Sequence, residues 1–201
     1  QLYLSSYHLS PDTVASYLEA MRRHRVTHLV GYPSSMAALA QMALDQGLRS
    51  APLRVAFSNA EPLSPSQRER IGTAFGCPVR DTYGMSEIVC GASECGSGAM
   101  HLWPEAGLVE ILEEASDAPA PSGESGRLIG TSLLNADMPL VRYAVGDRAA
   151  SAPPGELCAC GRRLPQLRRI EGRSDDVVVT PEGRLVGRLT PPALGLSVAS
   201  G

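Results

Sequence analysis

Pro78-Val79-Arg80-Asp81-Thr82-Tyr83-Gly84-Met85-Ser86-Glu87 is the stretch on which the fold turns. A β-leaning approach runs into an aromatic ring, a glycine, a hydroxyl and a carboxylate. Gly84 permits a sharp turn and a close ligand. Tyr83 offers a flat apolar face with a polar tip. Ser86 and Glu87 bring oxygens that suit a phosphate or a hard cation such as Mg²⁺. Open α/β sheets bind ligands where strands break into loops of this kind. Read alone, the segment fits an ordinary strand-to-helix turn equally well, so its neighbours decide.

Upstream, helical and strand-like runs alternate. Ser10-Pro11 suits a helix start, and Val14, Tyr17, Leu18 and Met21 follow at helical spacing. Val26 to Tyr32 is strand-like, with His28 a sheet histidine rather than a ligand. Pro33-Ser34-Ser35 opens a second helix with Met36, Leu39, Ala40 and Ala43 inward and Gly47 as its stop. Leu53 to Phe57 is short enough for a buried strand. Ser64-Pro65-Ser66-Gln67 combines a cap, a first-turn proline and a capping-box glutamine, and that helix runs to about Phe75. Val79 to Thr82 is the next strand. Such alternation with short connections predicts α/β architecture, a parallel sheet with flanking helices.

Beyond Glu87 the texture changes. Gly91 to Gly98 reads as loop, followed by β-like runs at Met100–Trp103, Gly107–Leu112, Gly126–Leu134, Leu140–Tyr143 and Asp175–Thr180. Turn-rich spacers separate them, as in a meander or small barrel. The expected organisation is an α/β sublobe over residues 1–95, a mostly β sublobe over 96–175, and a hinge with the start of a further region over 176–201.

The 201 residues suit one domain or one with a small appendage, and 43% hydrophobic content supports a real core. A net charge of −3 and a pI near 5.8 argue against nucleic acid or an anionic membrane as partner. The Arg162-Arg163…Arg168-Arg169…Arg173 piece is a local exception, read as a solvated hairpin or loop. No apolar run reaches membrane-spanning length and no leader pattern opens the chain, so the expected location is cytoplasmic. The start at Gln1 and the end at Gly201 both look cut from something longer. Oligomeric state is not legible.

Five cysteines, an odd number, argue against a disulfide framework. Cys77 reads as a small buried residue. Cys95-x5-His101 and Cys158-x-Cys160 supply three thiolates and an imidazole on two tight turns, the ligand set of a tetrahedral structural zinc site. Cys90 could replace one ligand, and unrelated buried thiols are the plain alternative. A redox role for Cys158-x-Cys160 is weaker, because the flanking glycine and arginines suit a turn.

Four short pieces occur in a fixed order: Ser58-Asn59-Ala60-Glu61-Pro62, Tyr83-Gly84-Met85-Ser86-Glu87, Arg142-Tyr143-Ala144-Val145-Gly146-Asp147 and Gly172-Arg173-Ser174-Asp175-Asp176. Together they resemble the adenylate-forming superfamily of acyl-CoA ligases and adenylation domains, nearest its phenylacetate-CoA ligase branch and that branch's capsule-synthesis-like relatives. The stretch Arg173 to Val179 followed by Pro181 to Arg188 carries the latter likeness. The resemblance spans the chain from Tyr32-Pro33-Ser34 to the end. It implies a piece of the large N-terminal domain of such an enzyme.

The resemblance also implies roles. Asn59, Ala60, Glu61 and Pro62 would offer backbone to an adenine edge; a loop before a helix explains Pro62 equally well. Tyr83 would lie along adenine, with Asp81, Gly84 and Met85 in the same nucleotide-binding segment. Ser86 would bond the α-phosphate and Glu87 would help hold Mg²⁺. Asp147, following a strand and Gly146, would accept the ribose hydroxyls; an ordinary turn aspartate is its rival reading. Arg173 would reach phosphate or ribose oxygens, and Asp175 or Asp176 would mark the hinge of a mobile C-terminal lobe; a plain solvent-facing turn is the rival reading of those two. Gly31, Tyr32 and Pro33 would wall a pocket for a flat, aryl-like acid; a core aromatic is the equal rival reading of Tyr32. The implied reaction joins a small carboxylic acid to ATP, forming an acyl-adenylate, then passes the acyl group to coenzyme A or a pantetheine carrier protein. The branch can carry a similar cysteine/histidine cluster, which supports zinc.

Three departures from the superfamily pattern stand out. The sequence holds no Ser/Thr/Gly-rich phosphate loop, its 18 basic residues are all arginine, and Ala144-Val145 stands where Arg-Thr or Lys-Thr is commoner. The alternative reading is therefore a zinc-stapled nucleotide- or ligand-binding module that no longer completes catalysis.

Overall fold

The computed structural model describes residues 1–50, 52–173, 178–179 and 185–186. They divide into two compact units, Gln1–Asp81 and Thr82 onward.

In the first unit β1 (His28–Gly31), β2 (Val55–Ser58) and the first half of β3 (Val79–Gly84) pair in parallel. Leu29, Ala56 and Val79 sit in register on one face. That face joins a core with Val14, Leu18 and Met21 of α1 (Val14–Arg23), Met36, Leu39 and Ala40 of α2 (Pro33–Asp45), and Ile71 and Phe75 of α3 (Pro65–Phe75). Burial of these apolar side chains at helical and alternate-strand spacing is what holds the layers together. The α3 capping box is present: Gln67 N–H donates to Ser64 Oγ at 3.2 Å and Ser64 N–H to Gln67 Oε1 at 2.9 Å. Gly76 stops that helix in the left-handed conformation. Helix α1 starts at Val14, later than Ser10-Pro11 suggests. Residues 10–13 form their own turn, in which Thr13 Oγ1 accepts from Ser10 N–H and donates to the His8 carbonyl.

The second unit is an antiparallel sheet. The remainder of β3 pairs with β4 (Gly91–Glu94), then come β5 (Met100–Leu102), β9 (Gln166–Arg173), β8 (Tyr143–Ser151), β7 (Ser125–Ser132) and β6 (Gly107–Leu112). Its core gathers Val89, Cys90, Ala92, Ile111, Leu128, Ala149 and Leu167. Two short strands, β10 (Val178–Val179) and β11 (Leu185–Val186), pair antiparallel. The expected parallel α/β half followed by a β-rich lobe is what the fold shows.

Three details differ from the sequence reading. Residues 91–94 are strand β4 rather than loop. Their small side chains fit because the Trp103 ring covers Gly91, where an added Cβ would lie 2.3 Å from that ring. The run expected as strand at Leu140–Tyr143 instead leads into β8, which begins at Tyr143. Of the arginine-rich piece, Arg162 and Arg163 lie in exposed loop as expected, whereas residues 166–173 are strand β9: Leu167 and Ile170 turn inward, while the exposed Arg168 pairs with Glu156 and Arg169 with Glu171. Asp175, Asp176 and most of 176–201 lie outside the described residues.

Candidate functional site

Tyr83 lies on β3, where backbone pairing with Ala92 of β4 fixes it. Its hydroxyl donates to Asp147 Oδ2 at 2.5 Å. Asp147 is inside β8 rather than after a strand. Between Ala144 and Arg148 this strand bulges, since those two residues oppose Ile129 and Arg127, and Gly146 adopts φ +87° within the bulge. A bulge of this sort re-aims the side chain beside it. A second bond runs the other way: the Tyr143 hydroxyl donates to Glu87 Oε1 at 3.3 Å. Tyr83 and Glu87 are four residues apart, as are Tyr143 and Asp147. Each segment thus gives one phenol and one carboxylate, and each phenol serves the other segment's carboxylate.

The floor beneath these pairs is apolar. Tyr83, Met85, Tyr143 and Val145 pack against the second-unit core. Met85 Sδ accepts from Cys90 Sγ at 3.8 Å, so Met85 is turned toward the core. Burial, and then the Asp147 charge, push the Cys90 thiol up to about 12. Cys90 lies in the core against Met85, outside the group formed by Cys95, Cys158 and Cys160. Gly84, which ends β3, and Ser86 beyond it are exposed. Arg173 pairs in backbone register with Asp147.

In the first unit, Ser58 is fully buried and its Oγ donates to Asp81 Oδ1 at 2.5 Å, across the Ser58–Asp81 register pair. Asp81 thereby ties β3 to β2. Asn59 and Ala60 are exposed just past β2, and Ala60 holds φ +64°, uncommon for a residue with a Cβ. The Glu61 carboxylate accepts from Ser34 N–H at 3.1 Å, capping α2. Pro62 is exposed. Gly31, Tyr32 and Asn59 line an open cavity of about 700 Å³ alongside β1, whereas Pro33 is buried at the start of α2.

Cys95, His101, Cys158 and Cys160 bring their ligand atoms within 4.8 Å of one another. The fit to zinc can be tested on distances. Tetrahedral Zn²⁺ with Zn–S about 2.3 Å and Zn–N about 2.0–2.1 Å has S···S edges near ~3.8 Å and S···N edges near ~3.6 Å. Cys95 Sγ and Cys158 Sγ are 3.7 Å apart, and Cys160 Sγ and His101 Nε2 are 3.4 Å apart. His101 Nδ1 lies 3.3 Å from the Leu164 carbonyl. A proton on Nδ1 donated there leaves Nε2 free as the ligand, the usual outer-shell arrangement. Burial pushes the Cys95 thiol up, but the Ser97 and Ala99 N–H groups and the neighbouring thiols outweigh it and bring it down to about 6.

A family of AMP-binding enzymes matches residues 2–164. The chain belongs to that family. It is 30% identical over 156 residues to the phenylacetate-coenzyme A ligase of Thermus thermophilus, covering 73% of this chain and 34% of that protein. It is 28% identical over 188 residues to protein CapK of Staphylococcus aureus, covering 92% of this chain and 40% of CapK. Among solved structures, a 2-hydroxyisobutyryl-CoA ligase bound to an acyl-adenylate superposes with a TM-score of 0.75 at 26% identity, covering 92% of this chain and 40% of that one. The chain thus belongs to the phenylacetate-CoA ligase-like branch and spans about two-fifths of these relatives or less. No described helix is long and apolar enough to cross a membrane.

Sequence reasoning missed two residues that bond to candidate site side chains, Ser58 to Asp81 and Tyr143 to Glu87. Ser58 looked like the mere start of a motif, and only the β2–β3 register reveals its partner. Tyr143 stood inside a quoted motif without a role. The one signal for it was the matching four-residue spacing of Tyr83–Glu87 and Tyr143–Asp147.

Proposed function

We propose that the protein containing this chain activates a small carboxylic acid with ATP and transfers the acyl group to a thiol. The observation that carries this reading is the pairing of Tyr83 with Asp147 beside that of Tyr143 with Glu87. One patch then offers a ring for a base, a carboxylate for ribose hydroxyls, and oxygens for phosphate and metal.

In the first half-reaction a carboxylate oxygen of the acid attacks the α-phosphorus of ATP. The new acyl O–P bond forms as the bond to the β-phosphate oxygen breaks, and pyrophosphate leaves with the electron pair. In the second, a thiolate attacks the acyl carbon, the C–O bond to AMP breaks, and the thiol proton passes to solvent or base. Little covalent chemistry falls to the protein, so positioning and charge stabilisation supply the acceleration. Tyr83 carries adenine, Asp147 holds the ribose, and Ser86 and Arg173 meet phosphate oxygens. Asn59 to Pro62 present backbone to the base edge. Glu87 and Ser86, both hard oxygen donors, fit Mg²⁺ shared with substrate phosphates; the ion neutralises their charge when bound. Gly31 and Tyr32 face the acid. Phenylacetate is the first candidate substrate, because the Thermus relative bears that name, and coenzyme A is the first candidate acceptor.

Cys95, His101, Cys158 and Cys160 hold a structural Zn²⁺ in this reading. It ties the turn after β4 to the loop before β9 and adds its binding free energy to folding.

Acid-dependent exchange of pyrophosphate into ATP by the intact protein tests the activity. Exchange with an aryl or short hydroxy acid supports it. A flat response across a broad panel of acids removes it, and retained AMP binding in that case identifies a nucleotide-binding module.

A further inference from the structure

We infer that Tyr143 is a positioning residue for the metal-facing carboxylate Glu87, a role that rests on the nucleotide-site reading above. Its hydroxyl donates to Glu87 Oε1 at 3.3 Å. One carboxylate oxygen then has a partner in the protein, which leaves Oε2 as the candidate ligand for a cation. A phenol–carboxylate bond also restricts the Glu87 rotamers, so less freedom is lost when the metal arrives.

The backbone on both sides of this pair is strained. Ile88, directly after Glu87, has φ +53°, and Arg142, directly before Tyr143, has φ +46°. A branched or long residue is unfavourable there, and such strain gathers where geometry serves function. Each strained residue is pinned. Ile88 N–H donates to the Met85 carbonyl at 3.1 Å, and the fully buried Val89 follows it. Arg142 N–H donates to Thr131 Oγ1 at 2.9 Å, and Arg142 Nε donates to Glu110 Oε2 at 3.1 Å. Opposite Tyr143 stands Gly130, where an added Cβ would lie 2.7 Å from the Val89 side chain. Val89 thus follows one strained residue in sequence and fills the space over Gly130, the register partner of Tyr143, in the core on which Tyr143 packs.

Tyr83 and Tyr143 are thereby divided in task. Tyr83 bonds the carboxylate that faces ribose, Tyr143 the one that faces the cation. Removing the Tyr143 hydroxyl acts on metal-dependent nucleotide binding and spares the metal-free contacts.

The test compares wild type, Tyr143→Phe, Glu87→Gln and the double variant of the intact protein. ATP affinity is measured by calorimetry over a Mg²⁺ titration, and AMP affinity without metal. Tyr143→Phe is expected to raise the Mg²⁺ concentration for half-maximal ATP binding by about three- to tenfold, the range of one lost hydrogen bond. Metal-free AMP affinity stays within error, and the melting temperature falls by no more than the few degrees that one hydrogen bond supplies. On the Glu87→Gln background the same change has no further effect. An unaltered Mg²⁺ requirement in Tyr143→Phe overturns the assignment, as does an equal loss of metal-free AMP affinity, which marks a merely structural residue. Wild type that binds AMP yet ignores Mg²⁺ also overturns it while sparing the nucleotide site. Wild type that binds no nucleotide removes both readings.

Discussion

The Tyr83 hydroxyl and Asp147 Oδ2 are 2.5 Å apart although 64 residues of chain separate them. The bond unites two motifs that have no reason to meet in an arbitrary fold. In the proposed function the Asp147 carboxylate meets ribose and the tyrosine ring stacks on the base. Base stacking on an aromatic side chain is worth about 1–3 kcal/mol by alanine substitution. Tyr83→Ala should therefore weaken AMP binding roughly ten- to hundredfold, and Tyr83→Phe, which keeps the ring, only severalfold. Calorimetry on both variants separates the ring from the hydroxyl.

The metal cluster makes a prediction about thiol counts. In the metal-bound protein, Cys95, Cys158 and Cys160 should resist a thiol reagent at pH 8, and a strong chelator should expose all three. Cys77 and Cys90 should react only on unfolding, since burial raises both thiols and Cys90 titrates only near 12. Metal analysis should return about one Zn²⁺ per chain, and Cys158→Ser should lower the melting temperature and abolish the metal. Fast reaction of all three cluster thiols before chelation would contradict the site.

Two glycines of the second unit admit no side chain. A Cβ at Gly107 would lie 1.9 Å from the Val89 carbonyl oxygen and 2.7 Å from that of Thr131, and one at Gly126 would lie 2.2 Å from the Leu112 carbonyl oxygen. Backbone cannot yield as a flexible side chain can, so Gly107→Ala should destabilise by about 3 kcal/mol or more, the upper end of overpacking costs. Urea unfolding measures it.

Much of the architecture was written in local patterns. The α3 capping box, the apolar spacing of α1 and α2, and the short apolar run around β2 each depend on neighbours in sequence. What stayed hidden depends on distant partners. Residues 166–173 looked solvated because arginines dominate them, yet Leu167 and Ile170 alone decide burial, and the acidic partners Glu156 and Glu171 neutralise the rest. Strand β4 was obscured by glycine, alanine and serine; Gly91 has no side chain because the Trp103 ring fills that space, and Ser93 accepts a hydrogen bond from the same indole. At the site, Tyr83 and Asp147 were legible through their motifs. Tyr143 was not, since a tyrosine opening a strand is ordinary until its hydroxyl is seen against Glu87.

Acid stability offers a separate check on β9. A hydrogen bond from Ser125 Oγ at 2.6 Å, followed by Arg169 and Arg148, outweighs partial burial and holds the Glu171 carboxyl below its usual 4.5. A lowered folded value stabilises above the unfolded pKa, and that contribution fades as pH falls through the folded one. Glu171→Gln should therefore flatten the loss of stability below pH 4.5, by no more than a few tenths of a kcal/mol because the group is exposed. Urea midpoints at pH 3.5 and pH 6 would show it.

The central claim is that Asp147 grips ribose. Affinity of the intact protein for AMP and for 2′,3′-dideoxy-AMP should be measured in wild type and in Asp147→Asn. Two charge-assisted contacts predict that wild type prefers AMP by roughly ten- to a hundredfold and that the variant loses most of this preference. Equal affinity of wild type for both nucleotides, or a preference that survives Asp147→Asn intact, would contradict the account.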